Sequence, residues 1–247
     1  MEIRICKDRA ALGKSAALYV AQRLREVIAE KGEARIALST GASQFDTLAY
    51  LVQQDVPWER VVMFHLDEYV DLPETHPASF RKYLKEKFTS KVTVKEAHFV
   101  DGTEENRREL CRLIAEAPID VGLIGIGENG HIAFNDPPAD FDARDPYIVV
   151  TLNDTCKQQQ VGEGWFATPD DVPKQAVSMS VGQIMKCREI VSCVPYAVKA
   201  SAVYNTLTQP VNNMVPATIM KTHPAFTLYI DGESAKQILP DIHWTNA

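Results

Sequence analysis

Three short segments carry residues whose types and spacing suit catalysis. The first is Ser39-Thr40-Gly41-Ala42-Ser43. Its small residues let a backbone approach a ligand closely, and the helix predicted after it offers free N–H groups at its start. With the hydroxyls of Thr40 and Ser43, this loop suits an anion such as a phosphate. A plain strand-to-helix turn capped by Ser43 is the other reading. No G-x-x-x-x-G-K-[ST] loop is present, so nucleotide binding of that kind is excluded. The second segment is Leu66-Asp67-Glu68-Tyr69, where two adjacent carboxylates stand at the end of an apolar run. An Asp held at a sheet rim and partly desolvated is a general-base candidate, while a pair of loop acids that cap the next helix is the bland alternative.

The third segment runs Gly125-Ile126-Gly127-Glu128-Asn129-Gly130-His131 and on to Asn135-Asp136-Pro137-Pro138. Its glycines match G-x-G-x-x-G, the dinucleotide pattern, but that pattern needs a helix to continue beyond the third glycine. Pro137-Pro138 stops any such helix, so a nicotinamide dinucleotide is rejected. The glycines instead make a sharp turn that presents Asn129 and His131, with Asp136 five residues further on. An imidazole and a carboxylate together can shuttle protons near neutral pH.

These segments need elements to hold them. Strands are predicted at Glu2–Cys6, Ala34–Leu38, Val61–Leu66, Ala97–Val100, Val121–Ile126, Ile148–Leu152, Ala176–Val181, Ile190–Val194 and Phe226–Ile230. Helical periodicity covers Ala10–Glu30, Gln44–Val52, Pro77–Phe88, Glu104–Ala115 and Ala197–Leu207, and the stretch from Asp136 to Pro173 reads as largely irregular. Alternation of this kind predicts an α/β chain: an open, mostly parallel Rossmann-like sheet with helices on both faces. Neither a repeat nor a linker-like break divides the 247 residues, which reads as a single domain over 1–247. In such sheets ligands bind beyond the carboxyl ends of the strands, where all three segments lie.

Composition narrows the function further. A formal net charge of −7 disfavours a nucleic-acid partner, and no apolar run approaches the ~20 residues of a membrane span. Five scattered cysteines without a C-x-x-C pair read as reduced thiols in the cytoplasm, and the six histidines show no metal-ligand spacing. No metal is predicted.

Together the three segments, with His76-Pro77-Ala78-Ser79-Phe80, resemble the glucosamine-6-phosphate deaminase (isomerase) family, in the superfamily that also holds 6-phosphogluconolactonase. Tyr69 and Ile132-Ala133-Phe134-Asn135 side with the deaminases. The resemblance implies a cofactor-free enzyme that turns glucosamine 6-phosphate, or a close epimer, and water into a ketose phosphate and ammonia. It implies Asp67 as the base that moves a proton between C2 and C1. His131 would open the sugar ring, assisted by Asn129 and Asp136. Thr40, Gly41, Ala42 and Ser43 would hold the phosphate, with Lys199 as its cationic partner, beneath a lid over about 151–173. The partner implied is a small-molecule sugar phosphate, for a monomer or small homo-oligomer with no allosteric sugar site in Ala139–Val149.

Two features depart from the family pattern. Asp136 stands where a glutamate is usual, and the stretch Cys156–Phe166 lacks the arginine that commonly grips the phosphate. Arg144 and Lys157 are the candidate substitutes. A lactonase or another phosphosugar isomerase is the alternative enzyme, and a non-catalytic sugar-phosphate sensor is a third reading.

Overall fold

A computed structural model describes residues 1–238, so the last nine residues of the expected 1–247 domain lie outside the described part. Among the described residues ten strands form: β1 (Glu2–Cys6), β2 (Ala34–Leu38), β3 (Val61–His65), β4 (Asp67–Tyr69), β5 (Glu96–His98), β6 (Val121–Leu123), β7 (Tyr147–Thr151), β8 (Gln175–Met179), β9 (Glu189–Val194) and β10 (Phe226–Asp231). Seven of them make one sheet in the order β1-β10-β9-β6-β2-β3-β5, with every neighbouring pair parallel.

β2, β3 and β9 are buried along their whole length, as a parallel sheet covered on both faces demands. Side chains alternate between the faces. Ile36, Leu38, Val61 and Met63 pack with Leu12, Ala16, Val20 and Leu24 of α1 (Arg9–Lys31) and Leu48 and Leu51 of α2 (Phe45–Leu51). α3 spans Phe80–Leu84, α4 Glu104–Ile114, α5 Asp154–Gly162, α6 Val181–Ile184 and α7 Ala200–Thr208. Ala37, Val62 and Phe64 face the other way, into a core shared with Leu110 and Ile114 of α4 and Ala202 and Val203 of α7. The i, i+4, i+8, i+12 stripe of α1 is why that helix is legible in the sequence. Its ends have local causes: Asp8 accepts the Ala11 N–H at 2.8 Å, and Gly32 closes the helix at φ +82°. None of the described helices is long and apolar enough to cross a membrane.

Two expectations need correction. The strand predicted through Leu66 breaks at that residue. Leu66 still donates its N–H to Leu38 in the main sheet (3.3 Å), but its carbonyl accepts from Met179 N–H (2.8 Å). From there β4 runs antiparallel to β8, and β8 to β7, in a separate three-stranded sheet that takes the strands expected around 148–152 and 176–181. The segment read as irregular also contains α5. This helix buries only Cys156 and Gln160, an i, i+4 pair with one polar member, so no apolar stripe announces it.

The chain steps from β2 outward to β3 and β5, then returns to lay β6 on the other side of β2. Strand order reverses between β2 and β6, and that switch opens a crevice at their carboxyl ends.

Candidate active site

The ends of four adjacent strands, β9, β6, β2 and β3, surround one cavity. It is lined by Ser39, Thr40, Gly41, Ala42 and Ser43 after β2, Asp67 after β3, Gly125 to Glu128 with His131 after β6, and Lys199 after β9. Ser39 N–H donates to Leu123 O (3.0 Å) and Ile124 N–H to Val191 O (2.9 Å), so these loops leave the sheet in register. Each of the three chemistry-bearing segments therefore contributes to the same space.

The adjacent carboxylates divide their tasks because successive side chains on a strand point to opposite sides. Glu68 is turned away from the cavity. It accepts from the N–H groups of Phe80 (3.3 Å) and Arg81 (2.9 Å) and from Ser79 Oγ (2.8 Å), and so caps α3 from across the chain. Asp67 is 6% exposed and faces the cavity. Burial, reinforced by the Glu68 charge, pushes its carboxyl up to about 8. A carboxylate tuned this high is a stronger base near neutral pH than an ordinary aspartate.

The glycine turn builds the second centre. His131 Nδ1 lies 3.1 Å from Asp136 Oδ1, which also accepts from Asn129 Nδ2 at 2.9 Å, and Asn129 Oδ1 accepts the His131 N–H at 3.0 Å. Burial works to raise the Asp136 carboxyl, but His131 and Asn129 outweigh it and hold the group below the ordinary range. The ionised Asp136 lies against Nδ1 at ion-pair distance but outside hydrogen-bond geometry, and so favours one placement of the imidazole. Asn129 and Asp136 do not line the cavity themselves; they touch His131, which does. The ring lies over Gly127, where a Cβ would sit 2.2–2.4 Å from its atoms. Gly127→Ala is therefore expected to displace His131 and lower turnover at least ~10²-fold, the scale of one misplaced acid–base group. Near-wild-type kinetics in that variant would show that the ring position is immaterial.

The anion end is formed by the Ser39–Ser43 loop and Lys199. Gly41 adopts φ +96°, a region that favours glycine, and the chain continues as a 3-10 turn, Ala42–Gln44, into α2. Ser43 makes no capping hydrogen bond, so its hydroxyl stays free for a ligand. The buried Gln44 ties this turn to β9 through Cys193 O (3.3 Å). Lys199 sits in a 3-10 turn, Ala197–Lys199, that precedes α7 rather than within the helix expected there. It is 7% exposed, its Nζ makes no hydrogen bond or ion pair among the described residues, and burial lowers its proton affinity. Tyr196 holds φ +81°, a strained conformation for a non-glycine residue, at the start of the same turn. An unpaired buried cation opposite free hydroxyls and backbone N–H groups calls for an anionic ligand.

Comparison with known proteins agrees with this geometry. The family model described as glucosamine-6-phosphate isomerases/6-phosphogluconolactonase matches residues 7–228. The chain belongs to this family. It is 35% identical over 236 residues to a glucosamine-6-phosphate deaminase of Staphylococcus epidermidis, covering 91% of this chain and 96% of that one. A glucosamine-6-phosphate deaminase of Thermoanaerobacter pseudethanolicus is 30% identical, with 98% and 96% covered. Among solved structures, a monomeric glucosamine-6-phosphate deaminase superposes with a TM-score of 0.86 at 28% identity over 96% of this chain and 99% of that one. A 6-phosphogluconolactonase of Shewanella baltica shares the fold at 16% identity, with a TM-score of 0.77 over 94% and 98%.

Neither Arg144 nor Lys157, the candidate substitutes for a lid arginine, lines the cavity. α5 presents Gln159 and Gln160 there, and the residue that ends it, Glu163, lines the cavity too; sequence patterning singled out none of the three. Tyr196 and Val198 line the cavity without any sequence signal, and Phe80 and Phe134, which carry the resemblance, line it without having been expected there. Which way α5 faces follows from its docking against Tyr69 and Phe166, a contact with no local signature.

Proposed function

We propose that this protein converts an amino-sugar 6-phosphate, glucosamine 6-phosphate or a close epimer, plus water into the ketose 6-phosphate and ammonia. The observation that carries the reading is one cavity holding a high-affinity carboxyl base, an oriented imidazole and an unpaired buried cation, in a member of this family. The phosphate rests on Thr40, Gly41, Ala42, Ser43 and Lys199, with segment 151–173 as the lid that limits water entry. His131, oriented by Asp136 and Asn129, moves a proton between the O1 hydroxyl and the ring oxygen, which opens the pyranose. Asp67 takes the C2 proton and delivers it to C1. With the proton that the C2 ammonium gives up passing to O1 by way of His131, that shift leaves C1 as a hydroxymethyl group and C2 as an iminium carbon, to which water adds and from which ammonia departs. The substrate's C2 ammonium beside Asp67 favours the ionised carboxylate, so binding itself readies the base. The enzyme works as a monomer or small homo-oligomer in the cytoplasm, a setting that suits its five free thiols.

The test is ammonia release from glucosamine, galactosamine and mannosamine 6-phosphates, run in D2O. Ammonia with deuterium appearing at C1 of the ketose phosphate is the expected result. Hydrolysis of 6-phosphogluconolactone with no ammonia from any amino sugar would overturn it, because a lactonase needs no C2 proton transfer.

A further inference from the structure

α5 places one neutral donor directly in the cavity. Gln160 is 5% exposed, lines the cavity, and accepts the Tyr69 O–H on its Oε1 at 2.7 Å. Tyr69 is fully buried and cannot shift: its ring is packed by Phe80, Phe134 and Phe166 at centroid distances of 5.2, 5.0 and 5.5 Å. Gln160 is the single hydrogen-bond partner of the Tyr69 hydroxyl among the described residues. Were the amide reversed, the Tyr69 proton would be buried without an acceptor, so the orientation with Oε1 accepting is assigned. It leaves Gln160 Nε2, a two-proton donor, with no protein acceptor among the described residues while the side chain faces the cavity.

Placement tells what this donor meets. Asp67 and Tyr69 lie two residues apart on β4, so both point to the same side of the strand, about 7 Å apart. Gln160 is thus held one residue pair along from the base that works on C1 and C2, while the phosphate end of the ligand is set by Lys199 and the 40–43 loop. We propose that Gln160 Nε2 hydrogen-bonds a hydroxyl of the sugar chain between C2 and the phosphate, at C3 or C4, with Tyr69 as the positioning residue that aims it, and that this contact sets which amino-sugar epimer is accepted. The proposal rests on the deaminase reading above and adds the substrate-selecting contact that the reading leaves open. A site with a fixed, buried donor discriminates strongly against a substrate lacking the matching hydroxyl.

The experiment measures kcat/KM for ammonia release from glucosamine 6-phosphate and its 3-deoxy and 4-deoxy analogues, with wild type and three variants. Wild type is expected to lose roughly 10- to 100-fold on one of the two analogues, the scale of one neutral hydrogen bond in a dry site. Gln160→Leu loses a similar factor on the parent sugar and nothing further on that analogue. Gln160→Met keeps the side chain's length but carries neither donor nor strong acceptor, so it should show the same lost discrimination with an unchanged fold. Tyr69→Phe leaves the amide in place but unaimed, and should weaken discrimination between parent and analogue more than it changes turnover of the analogue. Equal losses by the Gln160 variants on all three sugars, or wild-type indifference to both deoxy analogues, would overturn the Gln160 role and leave the deaminase reading standing. Failure of wild type to release ammonia from any amino-sugar phosphate overturns the reading beneath it as well.

Discussion

Asp67→Asn is expected to abolish turnover and at the same time to make the fold more heat-stable above neutral pH. Loss of a positioned base costs on the order of 10³-fold or more in kcat. Asparagine keeps the shape of the side chain, so substrate binding should persist, and calorimetric titration with glucosamine 6-phosphate checks that. The stability effect follows from linkage. Burial and the Glu68 charge raise the folded-state carboxyl to about 8, well above its unfolded value, so between about pH 4 and pH 8 the native state holds a proton that the unfolded chain has released. Native stability from this group is present at low pH and is lost as pH rises through that window, on the order of several kcal/mol in all. The amide variant carries no such dependence. Melting temperatures of the two proteins should converge near pH 4 and diverge towards pH 8, with the variant higher. For wild type, the acid limb of kcat/KM should climb towards pH 8, because only the ionised carboxylate accepts the C2 proton. A constant difference in melting temperature across this range would rule out the perturbed carboxyl.

Lys199→Met acts on the other end of the cavity and on a different kinetic constant. Lys199 is a buried ammonium with no direct ion-pair partner among the described residues; Glu163 and Glu128 favour its charge, burial outweighs them, and an anionic ligand relieves the cost. Methionine keeps the length and removes the charge. KM should rise about 10²-fold or more, the effect of deleting one partner of a buried charge pair, with a smaller change in kcat. The free protein should become more heat-stable. Glucosamine 6-phosphate, or inorganic phosphate as a minimal probe, should raise the melting temperature of wild type but not of the variant. An unchanged KM would remove Lys199 from the phosphate site. Both variants gain stability by losing function, which is the pattern expected where charges are buried for catalysis rather than for the fold.

Much of this site is legible in the residues because its parts are local. The Ser39–Ser43 loop and the turn from Gly125 to His131 are marked by small residues that only a close approach or a positive φ requires, and both follow strands announced by apolar runs. Gly127 shows the logic: its missing side chain is the space that the His131 ring occupies. The helix that a dinucleotide loop needs does not begin after these glycines: Gly130 at φ +84° turns the chain against Val215. The two carboxylates at 67 and 68 show where such reading stops. Strand alternation says that one faces in and one faces out, but not which. That choice is made by the break at Leu66, where the chain leaves one sheet for another. Glu68 then meets the start of α3, and Asp67 meets the cavity.

By itself, then, the amino-acid sequence determined the parallel sheet, the loops at its carboxyl rim, and the residue types able to bind a phosphosugar and move its protons. Those features are set by periodicity and by backbone freedom at single residues, which act over a few positions. The tertiary structure decided the separate antiparallel sheet, the face of α5, the raised pKa of Asp67, and the burial of Lys199 without a direct ion pair. Each of these depends on what is packed opposite, and burial and electrostatics are properties of neighbours that the chain brings together only when it folds.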